Sequence, residues 1–295
     1  MKKTCIIGTG NRFKYFMKIF DYLISKKYIC IEGISNRSNK FDNNVKKYTK
    51  NLFNNYKKMI SQINPDLVFI FVNNENNSKV LSDICSDVNM ICIETPLTNI
   101  NDKLLKKFEN KKIHIMENWF FLPLEIIKKK ILKSNILGNL NMICNKNRTF
   151  KYHGVSQLRN YVDFNNNYIF NKNKSSKFNK LELIQYEPKI KDDKLSKIVF
   201  YFSKNKIISD CIIKDNQLNF ECYDNDNNSI SKLKYKLKDS YLSHIEIDIN
   251  NKIFIWDDEY NLNIDQNQYG SLKSIISFLE NNFIYSPENH LKDLL

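Results

Sequence analysis

The sequence predicts an α/β domain on a parallel sheet, residues 1–120, followed by an α+β domain with a large, mostly antiparallel open sheet, residues 121–295. Three observations carry this. A chain of 295 residues is long enough for two separate cores. Up to about residue 120, short apolar runs alternate with amphipathic stretches, the pattern of βαβ units. Beyond it, apolar and polar residues alternate one by one between Asn- and Asp-rich turns, as consecutive antiparallel strands do.

The elements follow in order. Strands are expected at 4–7, 28–35, 67–72, 90–94 and 113–117, several of them apolar nearly throughout, as strands covered on both faces should be. Helices are expected between them at 13–24, 56–63, 79–86 and 103–109, with another at 123–132. Further strands are expected at 140–144, 181–186, 197–202, 207–213, 218–222, 233–237, 245–249 and 253–256. The Asn/Lys/Ser stretch 165–179 is expected to be a loop or a partly disordered insertion, and a helix at 272–280 closes the second domain.

The chain has no alanine and only 6 Gly and 5 Pro, while Lys, Asn and Ile recur throughout, a composition of the kind AT-rich coding drift produces. Its formal charge of +14 is therefore read with care. Among 46 basic residues only Arg12, Arg37, Arg148 and Arg159 are arginine, and the lysines are spread along the chain among Asn and Asp. Nucleic-acid binders cluster charge on one face and rely on Arg for bidentate contacts, so no nucleic-acid partner is expected. The seven cysteines show no paired metal-type spacing, several lie in strand-like runs, and they read as reduced core thiols. No metal site is expected. Met-Lys-Lys leads directly into an apolar run that ends at Gly8, too short for a signal peptide or a membrane span. The expected location is cytoplasmic, with no membrane partner.

Gly8-Thr9-Gly10-Asn11-Arg12-Phe13 follows the first strand and opens the first helix. Two glycines in that context permit a tight turn and let the backbone approach a pyrophosphate, where helix N–H groups favour an anion. The third glycine of the fingerprint is replaced by Phe13. The first domain thus reads as an α/β Rossmann domain binding a dinucleotide. The second strand runs into Ser35-Asn36-Arg37-Ser38, with no acid to read a 2′-hydroxyl. Arg and Ser there suit a 2′-phosphate, so NADP(H) is favoured over NAD(H). The alternative is that Arg37 merely solvates a loop.

With these pieces in order, the first 160 residues resemble the glucose-fructose oxidoreductase and inositol dehydrogenase family (Gfo/Idh/MocA). The resemblance rests on Gly8-Thr9-Gly10; on residues 65–74, which end in Val72-Asn73-Asn74; on Glu94-Thr95-Pro96-Leu97; and on Asn118 with Pro123 leading to Ile136-Leu137-Gly138-Asn139-Leu140. It implies an NAD(P)(H)-dependent oxidoreductase moving hydride to or from a small ligand, a sugar derivative or a conjugated ring compound. It also implies cofactor contacts at Val72, Asn73, Glu94, Thr95 and Pro96, a homodimer or tetramer through the C-terminal sheet, and a substrate site near Asn118; Trp119, with Phe120 and Phe121, either lines that pocket or belongs to the core.

Two departures matter. The family's motif lysine is Thr95, an uncharged hydroxyl that cannot supply an ammonium for proton transfer. An Asp-x-Gly-x-His-type segment falls on Tyr152-His153-Gly154-Val155-Ser156, where biliverdin reductases are a closer likeness. Candidate catalytic residues are therefore His153, Tyr152, Thr95 and Arg159. An imidazole donates protons in the useful range, whereas a His packed at a helix start is the bland alternative. Arg159 could clamp an anionic substrate group or serve a helix salt bridge. A catalytically inactive, nucleotide-binding regulator is the rival to an enzyme, and Thr95 favours it.

Overall fold

The computed structural model describes residues 1–146, 151–161, 176–178, 181–185, 197–210 and 217–294. They divide into two compact units, Met1–Glu117 with Ser271–Leu291, and Asn118–Gly270 with Lys292–Leu295.

The first unit is a six-stranded sheet of β1 (Lys2–Ile7), β2 (Ile29–Ser35), β3 (Leu52–Phe53), β4 (Leu67–Ile70), β5 (Met90–Ile93) and β6 (Lys112–Ile115). Its strand order is β3-β2-β1-β4-β5-β6 and every neighbouring pair is parallel. The chain leaves β1 toward β2 on one side and returns to β4 on the other, creating a switch point at the C-terminal ends of these strands. β4 and β5 are buried along their whole length, as their runs of Leu, Val, Phe, Ile, Met and Cys require.

Helices connect the strands: α1 (Asn11–Ser25), α2 (Asn43–Lys46), α3 (Tyr56–Ile63), α4 (Asn74–Ile84) and α5 (Asp102–Phe108). In α1 the buried residues Phe13, Phe16, Ile19, Phe20 and Leu23 form one helical stripe. Asn does much of the capping. The Asn55 side chain accepts from the Lys57 and Lys58 amides at 2.9 and 3.2 Å, Asn101 accepts from Leu104, and Asn64 closes α3 with φ of 50°.

The second unit opens with a 3₁₀ turn, Trp119–Phe121, and α6 (Pro123–Lys133). β7 (Leu140–Asn145), α7 (Lys151–Arg159), β8 (Ser176–Phe178), β9 (Leu181–Gln185), β10 (Lys197–Phe202), β11 (Asn205–Asp210) and β12 (Phe220–Asp224) follow. Their sheet has the order β12-β11-β10-β7-β9-β8 and is antiparallel except between β7 and β9. β13 (Ser231–Lys238), β14 (Tyr241–Ile249) and β15 (Lys252–Asp257) form an antiparallel three-stranded sheet, preceded by a bridge between Tyr223 of β12 and Ser229. α6 packs on β15. The architecture is the expected α/β Rossmann domain followed by a largely antiparallel sheet domain. Much of the expected loop at 165–179, together with Arg148 and Cys211, lies outside the described residues; β8 occupies that stretch's end.

The C-terminal segment departs from the expected division, which gives all of 121–295 to the second domain. α8 (Gln266–Leu279) begins in the second unit, but from Ser271 the chain packs with the first, and α9 (Pro287–Leu294) follows. The physical reason is the edge strand β6. The Ile115 amide donates to Tyr285 O at 2.9 Å, and His114 stacks on Phe278 with ring centroids 5.0 Å apart. The segment thereby covers a sheet edge that would otherwise present unpaired backbone.

Candidate functional site

β1 ends at Gly8, whose φ of +98° is a backbone conformation that side chains strongly disfavour. A Cβ at Gly8 would also stand 2.3 Å from Phe71 O, so the turn closes on the end of β4 only with glycine. Gly10 is the N-cap of α1, makes no side-chain cap, and a Cβ there would meet nothing within 4 Å. The open space in front of it belongs to a cavity of about 560 Å³ lined by Gly8, Thr9, Gly10, Asn36, Arg37, Val72 and Asn73, among others. First-turn N–H groups of α1 are not capped by a side chain, and no acid lies in that turn. Such a helix start favours an anion. Asn36 fixes the loop after β2, its Nδ2 donating to Thr9 Oγ1 at 2.7 Å and to Lys40 O at 3.0 Å.

The other residues expected at the cofactor, Asn11, Arg12, Phe13, Ser38, Glu94, Thr95 and Pro96, do not line this cavity. Phe13 is fully buried and packs against Phe20 and Tyr48, so it serves the core in place of the fingerprint's third glycine. Asn11 is exposed at the start of α1, and Ser38 is exposed in the loop; neither lines the cavity. Arg12 turns toward Glu94, forming an ion pair at 2.7 Å while lying over the Tyr15 and Phe16 rings.

Glu94 begins the turn that follows β5. Asn77 is buried in α4 and its Nδ2 donates to Glu94 O at 3.2 Å and to Pro96 O at 3.3 Å. The Leu97 amide donates to Nε2 of His290 at 3.1 Å. Thr95 is half-buried, and its peptide bond to Pro96 is cis. Sequence reasoning does not reach Asn77 or His290. A signal for α9 is present in Ser286-Pro287-Glu288, a capping residue followed by Pro at the first helical position; the Ser286 hydroxyl accepts from the Asn289 amide.

In the second unit, α7 brings Tyr152 and His153 beside Trp119. The Trp119 and His153 rings are stacked at 5.1 Å and 23°, and Tyr152 lies 4.1 Å from His153. Trp119 is itself only 5% exposed. Asn118 is also buried, its Nδ2 donating to Asn267 Oδ1 at 2.9 Å. Arg159 is not a substrate clamp: it is 1% exposed, with its Nε donating to both Asp293 carboxylate oxygens at 2.9 and 3.0 Å and its Nη2 also on Asp293. The helical register turns this guanidinium inward, where a buried carboxylate holds it.

The base of α7 is fixed by a buried polar network. Asn145, at the end of β7, donates to Gly154 O at 3.1 Å and to Gln157 Oε1 at 2.9 Å, and Gln157 donates to Glu125 at 2.9 Å. Glu125 also pairs with Lys128 and accepts from Tyr161. Burial raises the Glu125 pKa, and the Lys128 ammonium opposes that rise.

No protein-family model matches the sequence, and no curated protein matches it. Solved structures do. Levoglucosan dehydrogenase, in complex with NADH and levoglucosan, superposes with a TM-score of 0.65 at 9% identity over 99% of this chain and 93% of that one. Such neighbours are oxidoreductases of the Gfo/Idh/MocA type, and this chain shares their fold. An oxidoreductase from Agrobacterium radiobacter, in complex with NAD+, L-tartaric acid and magnesium, shares the fold with a TM-score of 0.60 at 12% identity, covering 99% of this chain and 93% of that one. A 3-ketoreductase from Actinomadura kijaniata, in complex with TDP-benzene and NADP, gives 0.61 at 8% identity over 99% and 94%. In this chain the glycine turn stands at the β1 switch point, and Thr95 stands in the turn after β5. Among the described residues, no helix is long and apolar enough to cross a membrane.

Proposed function

We propose that the chain is a cytoplasmic oxidoreductase that binds NADP(H), in preference to NAD(H), and transfers hydride to or from a small ligand, a sugar derivative or a conjugated ring compound. The observation that carries this reading is the Gly8–Gly10 turn: a glycine-only bend, an uncapped helix start and open space where a Gly10 side chain would project. These residues fit a dinucleotide. The backbone can approach a pyrophosphate, and the cavity runs from the turn to Asn36 and Arg37 on one side and Val72 and Asn73 on the other.

Bound cofactor would supply or accept the hydride. The chain's own residues bind and orient it. Gly10 and the first turn of α1 would present N–H groups to the pyrophosphate, and Arg37 would supply a guanidinium for the 2′-phosphate. Val72 and Asn73 would border the cofactor in the cavity, and the Glu94-Thr95-Pro96 turn would serve its nicotinamide end. The proton donor of this reading is His153, whose ring stacks on Trp119 beside Tyr152 in the second unit. Arg159 and Asn118 have no part in this reading, since each is buried on an internal partner. The assembly is a homodimer or tetramer through the C-terminal sheet.

Thr95 favours a second reading, a regulator that binds the nucleotide without turnover, because no ammonium stands at that position. NADPH fluorescence titration followed by turnover on a panel of sugar derivatives and conjugated ring compounds tests both. Turnover that drops about a hundredfold in His153→Ala, with NADPH affinity nearly intact, supports the enzyme. Affinity without turnover supports the regulator, and binding of neither NADPH nor NADH contradicts both.

A further inference from the structure

We infer that His290 is a positioning residue for the dinucleotide site, holding the Glu94–Leu97 turn in place by accepting the Leu97 amide proton. The inference rests on the proposed site and deepens it. Leu97 and His290 are both fully buried, and the bond between them is 3.1 Å long across 193 residues of sequence. β5 ends at Ile93, so its parallel ladder does not reach the Leu97 amide, and a buried amide requires an acceptor. Since Nε2 accepts, the neutral ring carries its proton on Nδ1.

Three elements grip this turn at three different groups. From α1, Arg12 holds the Glu94 carboxylate; from α4, Asn77 holds the Glu94 and Pro96 carbonyls; from α9, His290 holds the Leu97 amide. Both α1 and α4 begin at the cavity, after Gly10 and Asn73. A turn released at Leu97 would shift Glu94, and with it Arg12, two residues after Gly10 in the helix start that would face the pyrophosphate. The His290 ring packs edge-on against Tyr285 at 5.6 Å in a fully buried place. Leucine would suit that apolar setting, but only a residue with an acceptor at the Nε2 position can take the Leu97 proton.

The test compares His290→Leu, which keeps bulk without an acceptor, with His290→Gln, whose carbonyl reaches as far as Nε2, and His290→Asn, whose carbonyl falls short. NADPH affinity is measured by fluorescence titration on protein shown to be folded by near-UV circular dichroism, with Gly10→Val as the control that blocks the site. The Leu and Asn variants are expected to bind NADPH about tenfold more weakly, the size of one lost hydrogen bond, and the Gln variant to stay close to the wild type. Should the Leu variant fail to fold, the Asn and Gln pair decides the matter, since both are polar and differ in reach. Unchanged affinity in folded Leu or Asn variants, while Gly10→Val loses binding, overturns the role of His290 and leaves the site standing. Equal losses in Gln and Asn overturn it too. Absence of NADPH binding by the wild type removes the site and this inference together.

Discussion

His114 carries a consequence for acid stability. It is fully buried, its Nδ1 accepts from the Tyr285 amide at 3.1 Å, and its Nε2 stands 2.8 Å from Ser274 Oγ. Burial lowers its pKa from 6.5 to about 3, because a charged imidazolium would lose its water. The unfolded chain takes up a proton below the ordinary value while the folded chain does not. The neutral ring therefore contributes stability fully above pH 6.5, and this is lost progressively as pH falls from there toward 3. Urea unfolding of the wild type and of His114→Gln between about pH 7 and pH 4 should show a shallower acid loss in the variant. Parallel curves would contradict it. The anchoring roles of His114 and His290 are illegible in the sequence, because nothing local pairs residue 114 with 274 or 97 with 290. Arg159 misleads for a related reason. Its scarcity marks it as important, but only the fold shows that its partner is Asp293, in the same helix α9 that carries His290.

At the scale of elements, the proposed preference for NADP(H) rests on the loop after β2. Ser35, Asn36 and Arg37 line the cavity, and Asn36 commits its amide to Thr9 and Lys40, which leaves the Arg37 guanidinium as the cation that this loop brings to the cavity wall. Arg37→Ala is expected to weaken NADPH by about tenfold to a hundredfold, the size of a lost charge-assisted hydrogen bond, and to leave NADH nearly unchanged. Titration with both nucleotides checks it, and equal losses would remove Arg37 from the 2′-phosphate. The strands and helices around this loop are legible because their apolar runs and stripes are strong: Phe13, Phe16, Phe20 and Leu23 repeat at helical spacing, and β4 and β5 are apolar throughout. α2 and β3 are not, being only 4 and 2 residues long, too short for a period to develop. The glycine turn is legible in a chain so poor in glycine. The grip of Asn77 on the Glu94–Leu97 turn is not, since Asn is everywhere in this sequence and carries no local signal.

At the scale of the whole molecule, the three-stranded sheet bears on assembly. Ile253 and Ile255 of β15 are 55% and 41% exposed and share a face with Lys234 and Glu246, which form an ion pair there. The opposite face carries the buried Ile245, Ile247, Phe254 and Trp256. Apolar residues on an otherwise charged sheet face are what an isologous contact would bury. Sedimentation should show a dimer or tetramer at micromolar concentration, and Ile253→Asp with Ile255→Asp should shift it toward monomer; a wild type that is monomeric throughout would contradict this. Function, by contrast, turns on whether the Gly8–Gly10 turn holds a nicotinamide dinucleotide. The most direct test is calorimetric titration of NADPH into the wild type and a folded Gly10→Val variant, whose side chain would project into the open space that now meets no atom within 4 Å. The wild type is expected to bind, and the variant to lose about a hundredfold or more, as several phosphate hydrogen bonds fail together. Equal affinity in the two proteins would contradict it.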